Sequence, residues 1–197
     1  MNRHELIGRW VGWVGWVLGL SVVMYAGGSA WGELVFPQAG ESMSAENRAI
    51  LDPWTGQWQG EFVVYAVDGS VLTRLQVRQR YWWDGDIQRA EFHETNEKGE
   101  VVTAVAANYE DDQGRLVCTV EKSNGERSLH FGKMSDGYLF WSADRPGVTE
   151  TFRERVEGQG AGAAYAINGL GVYGGTPFLF YGWYTRPTEA AETQAGE

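Results

Sequence analysis

Gly56-Gln57-Trp58-Gln59-Gly60-Glu61-Phe62-Val63-Val64-Tyr65-Ala66 leads into Asp68-Gly69, and Val71-Leu72-Thr73-Arg74-Leu75-Gln76-Val77-Arg78-Gln79-Arg80 leads out of it. Two runs rich in β-branched and aromatic residues, joined through Asp-Gly, read as a β-hairpin. A two-residue turn at Asp68-Gly69 places Val64 opposite Thr73, Phe62 opposite Leu75, Gly60 opposite Val77 and Trp58 opposite Gln79. A second turn at Asp84-Gly85 sets Val77 against Phe92 and Gln79 against Ala90. Strand side chains alternate between faces, so these pairs define a mostly apolar face. It holds Trp58, Gly60, Phe62, Val64, Leu75, Val77, Ala90 and Phe92. The other face holds Gln59, Glu61, Arg74, Arg78, Arg80, Glu91 and His93, with Arg78 opposite Glu91 as a cross-strand ion pair. Both turns select the same side as the core.

The same rhythm continues along the chain. Turn signals recur at Asn96–Gly99, Asp111–Gly114, Asn124-Gly125, Asp136-Gly137, Asp144–Gly147 and Asn168-Gly169. Between them, strands are expected at 57–67, 70–83, 87–95, 101–109, 115–122, 127–133, 138–143, 148–156, 163–167, 170–174 and 178–186. Sequential hairpins of this kind form an antiparallel meander, and closing it into a barrel removes the exposed edges. The expected domain spans 53–186. A linker with a short helix precedes it at 33–52, where Ser44 is a suitable helix cap. Residues 187–197, with three glutamates and no positive charge, read as a disordered acidic tail.

Gly56 and Trp58, at the head of the first strand, resemble the G-x-W signature of the lipocalin and calycin families. The run Trp58-Gln59-Gly60-Glu61-Phe62 is also similar to bacterial lipocalin-like, nitrobindin-related barrel domains. The resemblance implies an antiparallel barrel with Trp58 plugging one end and a helical lead-in before it. Haem-binding relatives use a histidine late in the barrel, and this chain has none after His130.

Trp10 to Gly32 contains no charged residue and follows Arg3 and Arg9. A signal peptide with a small-residue site at Gly28-Ser29-Ala30 is one reading. A membrane anchor with Trp10 and Trp31 at the two interfaces is the favoured one. The flanking charges then place the N-terminus in the cytoplasm and the β-domain outside. Trp10, Trp13 and Trp16 form a ridge. Gly12, Gly15 and Gly19, among other small residues, permit close helix packing against a partner or a flat cofactor.

The net charge of −10 argues against nucleic acid as a partner. Ten Trp, nine Tyr and eight Phe against three His suggest a packed interior, a pocket or an interface rather than a metal site. Cys118, the single cysteine, reads as a core residue. Glu91, Glu94, Glu150 and Glu154 are considered as acid–base pairs, but sequence alone singles out no two of them. The glycine-rich stretch 158–177 and the aromatic last strand suggest a docking surface of Tyr165, Tyr173, Phe178, Tyr181 and Trp183. Gly56, Trp58, Phe62, Leu75, Val77 and Phe92 are the expected barrel-end and inner-face residues.

These readings predict an all-β, lipocalin-like meander barrel behind one N-terminal transmembrane helix at 1–32. The expected role is a non-catalytic accessory or structural subunit of a larger membrane protein complex, of a pigment or electron-transfer kind. Its site is the periplasmic side of a bacterial inner membrane. Membrane subunits and lipid are the expected partners. No cofactor or metal of its own is identified, beyond contact with a partner's pigment or a lipid at Trp10, Trp13 and Trp16. The alternative is a membrane-tethered, lipocalin-like binder of a small apolar ligand.

Overall fold

The computed structural model describes residues 42–145 and 148–187. The first element, α1 (Ala45–Leu51), begins at Ser44, whose Oγ accepts the Asn47 N–H at 3.2 Å. Pro53 cannot continue a helical hydrogen-bond ladder, and the chain tightens into a 3-10 turn over Asp52–Trp54. Ten strands follow: β1 (Gly56–Ala66), β2 (Val71–Asp84), β3 (Ile87–Asn96), β4 (Val101–Glu110), β5 (Leu116–Lys122), β6 (Arg127–Ser135), β7 (Tyr138–Arg145), β8 (Val148–Glu157), β9 (Ala164–Tyr173) and β10 (Thr176–Thr185). Each pairs antiparallel with its sequence neighbours, and β10 returns to β1 to close the barrel.

The first hairpin has the register read from the sequence, with Val64–Thr73, Phe62–Leu75, Gly60–Val77 and Trp58–Gln79 as partners. The second is displaced by two residues. Asp84 pairs with Ile87, so the two-residue loop is Gly85-Asp86, and Gln79 meets Phe92 while Val77 meets Glu94. A slip of two preserves the faces but changes the partners. Arg80, rather than Arg78, therefore stands opposite Glu91, at an ion-pair distance of 3.9 Å. The slip also places Glu94 beside Val77 inside the barrel.

The turn expected at Asn168-Gly169 does not exist. Residues 164–173 form one strand, and the reversal falls at Gly174-Gly175, both at positive φ. Gly169 and Gly171 face inward. A side chain there would collide with the rings of Phe180 and Phe178 respectively. These glycines make room for packing rather than for turning.

One end of the barrel is sealed. Leu51 and Trp54 are buried in the core cluster. Trp58 Nε1 donates to the Trp54 carbonyl at 2.6 Å. Trp83 Nε1 donates to Asp52 at 2.9 Å. Arg186, just beyond β10, covers the Trp58 ring at 4.0 Å and donates to the Thr55 carbonyl at 2.7 Å. Among the described residues no helix covers the opposite end. The interior is filled largely by rings, including a run of Phe62, Phe180, Phe152 and Phe178 with neighbouring centroids 5.4 to 6.1 Å apart.

The expected fold is corrected in one respect. A spanning helix needs about 20 apolar residues, whereas α1 has 7. Among the described residues no helix is long and apolar enough to cross a membrane. The anchor expected at 1–32 lies outside the described residues, as does the tail expected after 187. The structure supports the barrel and gives no support to the membrane-spanning part of the fold.

Candidate functional site

Alternation along the strands points a set of polar side chains into the barrel, in two storeys. The lower storey lies near the sealed end. Glu154, on the inner face of β8, receives two hydrogen bonds, one from Trp141 Nε1 and one from the Tyr165 hydroxyl at 2.5 Å. Trp54 Nε1 lies near the same carboxyl without meeting hydrogen-bond geometry. Burial raises the Glu154 pKa from 4.5 to about 7, against the pull of its hydrogen-bond donors. Tyr165 stacks at a tilt on Tyr184, with centroids 4.8 Å apart, and meets Trp58 edge-on at 5.7 Å. Burial, with Glu154 close by, holds the pKa of the Tyr81 and Tyr165 hydroxyls well above the ordinary value. The same burial, chiefly, raises the Cys118 thiol.

Gln88 ties this storey to the helical seal. Its Nε2 donates to the Leu51 carbonyl at 2.8 Å, and its Oε1 accepts from Asn108 at 2.9 Å. A cavity of about 30 Å³ lies between Trp54, Tyr81, Asn108, His130, Trp141 and Glu154. That volume suits about one or two water molecules.

The upper storey lies toward the uncovered end. Lys122 Nζ faces Glu94 Oε2 at 3.9 Å, and His130 Nε2 faces Glu150 Oε2 at 3.4 Å. The first pair reaches across β4 past Ala104, and the second across β7 past Ala143; both alanines point inward and are small. Burial raises the acidity constant of Glu94, with Lys122 offsetting part of the rise. Several buried polar atoms make no hydrogen bond here, among them Glu94 Oε2, Ser128 Oγ, His130 Nδ1 and Glu150 Oε1. Such groups cost free energy to bury, so a barrel shaped only for stability would avoid them.

Sequence alone does not single out this set. In β8 the run Thr149 to Arg155 is polar on both faces, so alternation could not tell inside from outside. The one available signal was Phe152, which shares its parity with Glu150 and Glu154. The expected inner-face residues Trp58, Phe62, Leu75, Val77 and Phe92 are all buried in the core, and Gly56 sits at φ 113° with the Arg186 guanidinium against it. The expected docking residues divide. Tyr165 and Phe178 point into the barrel, Tyr173 is half-buried, and Tyr181 and Trp183 stand outside at 43% and 44% exposure. Inside and outside alternate along β10, so one strand could not offer all of its aromatics to a partner. Trp10, Trp13, Trp16, Gly12, Gly15 and Gly19 lie outside the described residues.

This arrangement defines a closed, ten-stranded meander barrel, sealed at one end and lined with buried ionisable groups. Among solved structures the chain is similar to the S-type phycobiliprotein lyase CPES from Guillardia theta, with a TM-score of 0.55 and 10% identity. The match covers 75% of this chain and 94% of that one. At that identity the likeness shows a shared barrel fold. No protein family matches the sequence, and no curated protein matches it.

Several functional expectations are corrected by these findings. The accessory-subunit reading rested on a patterned membrane helix, an aromatic docking strand and a lack of reactive groups. No spanning helix is found among the described residues, two of the five docking aromatics point into the barrel, and the interior holds buried acids and a histidine. Membrane subunits and lipid as partners, and a periplasmic place beside an inner membrane, have no support in the structure. The expectation of a non-catalytic chain is also withdrawn. Glu154, buried beside the cavity with its pKa raised to about 7, is a group of the kind that transfers protons near neutral pH.

Proposed function

We propose that the chain is a binding barrel of the lipocalin-like kind for a small, largely apolar molecule. The observation that carries this reading is the set of buried polar atoms without hydrogen-bond partners inside an otherwise aromatic barrel. An apolar lining with a few convergent polar groups is the usual composition of a small-molecule site. The ligand reaches the interior from the end without a helix. Because the cavity is only about 30 Å³, a molecule larger than water takes its place by displacing ring side chains. The finer kinship, with lipocalin-like and nitrobindin-related barrels, is part of the same proposal and is supported by Gly56 and Trp58 and by the run Trp58 to Phe62.

Titration of the purified chain with N-phenyl-1-naphthylamine, a neutral apolar probe, tests the reading. Saturable fluorescence enhancement at one probe per chain is expected. Ala106→Leu, which fills the cavity, should weaken it at least fivefold. Linear, non-saturable enhancement would overturn the reading.

A second reading is favoured by one observation. Glu154, at about 7, exchanges a proton near neutral pH beside a cavity. The barrel would then act on its ligand by proton transfer, with Tyr165 and Trp141 orienting the carboxyl. Turnover of a bound ligand that is lost in Glu154→Gln while binding persists is the outcome that supports it.

A further inference from the structure

We infer that the upper storey of the barrel interior is a site for an organic ammonium ion. This rests on the small-molecule reading above and supplies the chemistry of the ligand. Glu94, Lys122, Ser128, His130 and Glu150 lie on the inner faces of β3, β5, β6 and β8, and each is at most 3% exposed. Their mutual contacts are long, at 3.9 Å for Lys122–Glu94 and 3.4 Å for His130–Glu150. The two pairs leave Glu94 Oε2, Ser128 Oγ, His130 Nδ1 and Glu150 Oε1 without hydrogen-bond partners.

The hydrogen-bonding type of these four atoms decides the ligand. The His130 tautomer that presents an Nε2 proton to Glu150 leaves Nδ1 with a lone pair. Carboxyl oxygens accept. The Ser128 hydroxyl can accept as readily as donate. The open positions therefore call for a donor with several N–H groups, and an ammonium carries up to three. Charge points the same way, since this storey holds two carboxyl groups and one lysine, which faces Glu94. An added anion would sit against both carboxyl groups, whereas an added cation completes the second pairing.

The surroundings fit the rest of such a molecule. Phe152 lies between Glu150 and Glu154 on the inner face of β8, and its ring meets His130 edge-on at 5.4 Å. Phe180 and Phe178 continue the wall. Ring faces attract a cation, more strongly where water is excluded, and the same rings provide an apolar bed for an alkyl or aryl body. An ammonium group bearing an apolar chain thus satisfies the open acceptors and the aromatic wall together.

Isothermal titration of the full chain with n-octylammonium, 1-octanol and octanoate tests the inference. Octylammonium should bind one per chain and at least tenfold more tightly than octanol. Glu150→Gln should cost octylammonium tenfold or more and leave octanol unchanged. Glu94→Gln serves as the second variant if circular dichroism shows that the first is misfolded. Octanol binding as tightly as octylammonium, or octanoate binding best, would overturn the ammonium assignment and leave the binding barrel standing. Failure of all three probes would overturn both.

Discussion

Replacing Glu154 with Gln should remove the part of the barrel's pH-dependent stability that this carboxyl causes. The Glu154 carboxyl is buried, and its acidity constant is raised from 4.5 to about 7. Below pH 4.5 the folded and unfolded chains both hold this proton, and the native state suffers no penalty from the group. Between 4.5 and about 7 the unfolded chain releases the proton while the folded chain keeps it. Stability then falls by about 1.4 kcal/mol for each pH unit. Above about 7 both states are ionised and the loss is complete, at about 3 kcal/mol. The substituted amide does not titrate, yet it keeps the shape of the neutral acid beside Tyr165 and Trp141. Urea unfolding followed by tryptophan fluorescence, at pH 4.5, 6 and 8, measures the difference between the two proteins. The variant should gain about 3 kcal/mol on the wild type from the lowest to the highest pH. Glu94, whose acidity constant is also raised by burial, is common to both chains and cancels. A difference constant to within about 1 kcal/mol across the range would refute the assignment of Glu154 as a buried, proton-holding acid.

Three further outcomes follow from the packing. Cys118, held in the thiol form by burial and by Glu154, should resist Ellman's reagent at pH 8 in the native protein and react once per chain in urea; native labelling would show that the interior opens readily. Arg186→Ala removes both the cover over Trp58 and the hydrogen bond to Thr55. It should cost about 1–2 kcal/mol, seen as a thermal midpoint lowered by several degrees, and an unchanged midpoint would deny Arg186 a role in sealing the barrel. Gly60→Ala places a methyl group on the Trp183 backbone carbonyl, which cannot swing aside as a side chain can. Loss of soluble protein, or of about 3 kcal/mol or more, is expected there, whereas Gly99→Asn, in an open turn, should be nearly silent.

Much of the fold was legible because its signals are local. The Asp68-Gly69 hairpin, the alternation of Trp58, Phe62 and Val64, and the regular turn spacing depend only on neighbouring residues and the period-two geometry of strands. Where local signals gave equal answers, the reading failed. Asp84-Gly85-Asp86 allows two loop placements of identical face pattern, and only the barrel register selected the one that sets Glu94 beside Val77 and Arg80 opposite Glu91. Asn168-Gly169 has the form of a turn, but Gly169 serves as the seat for the Phe180 ring, a contact made only when β9 and β10 are paired.

The sequence by itself determined an antiparallel meander with Trp58 on its inner face, since pattern and turn chemistry act within a few residues. Tertiary structure alone decided the candidate site. Glu94, Lys122, Ser128, His130, Glu150 and Glu154 come from four strands, and alternation along each strand does not show which of them meet. Only closure of the sheet, with β10 returning to β1, turns their common face into a water-poor interior. There burial raises the acidity constants of Glu94 and Glu154, and four polar atoms of the upper storey are left facing inward without hydrogen-bond partners.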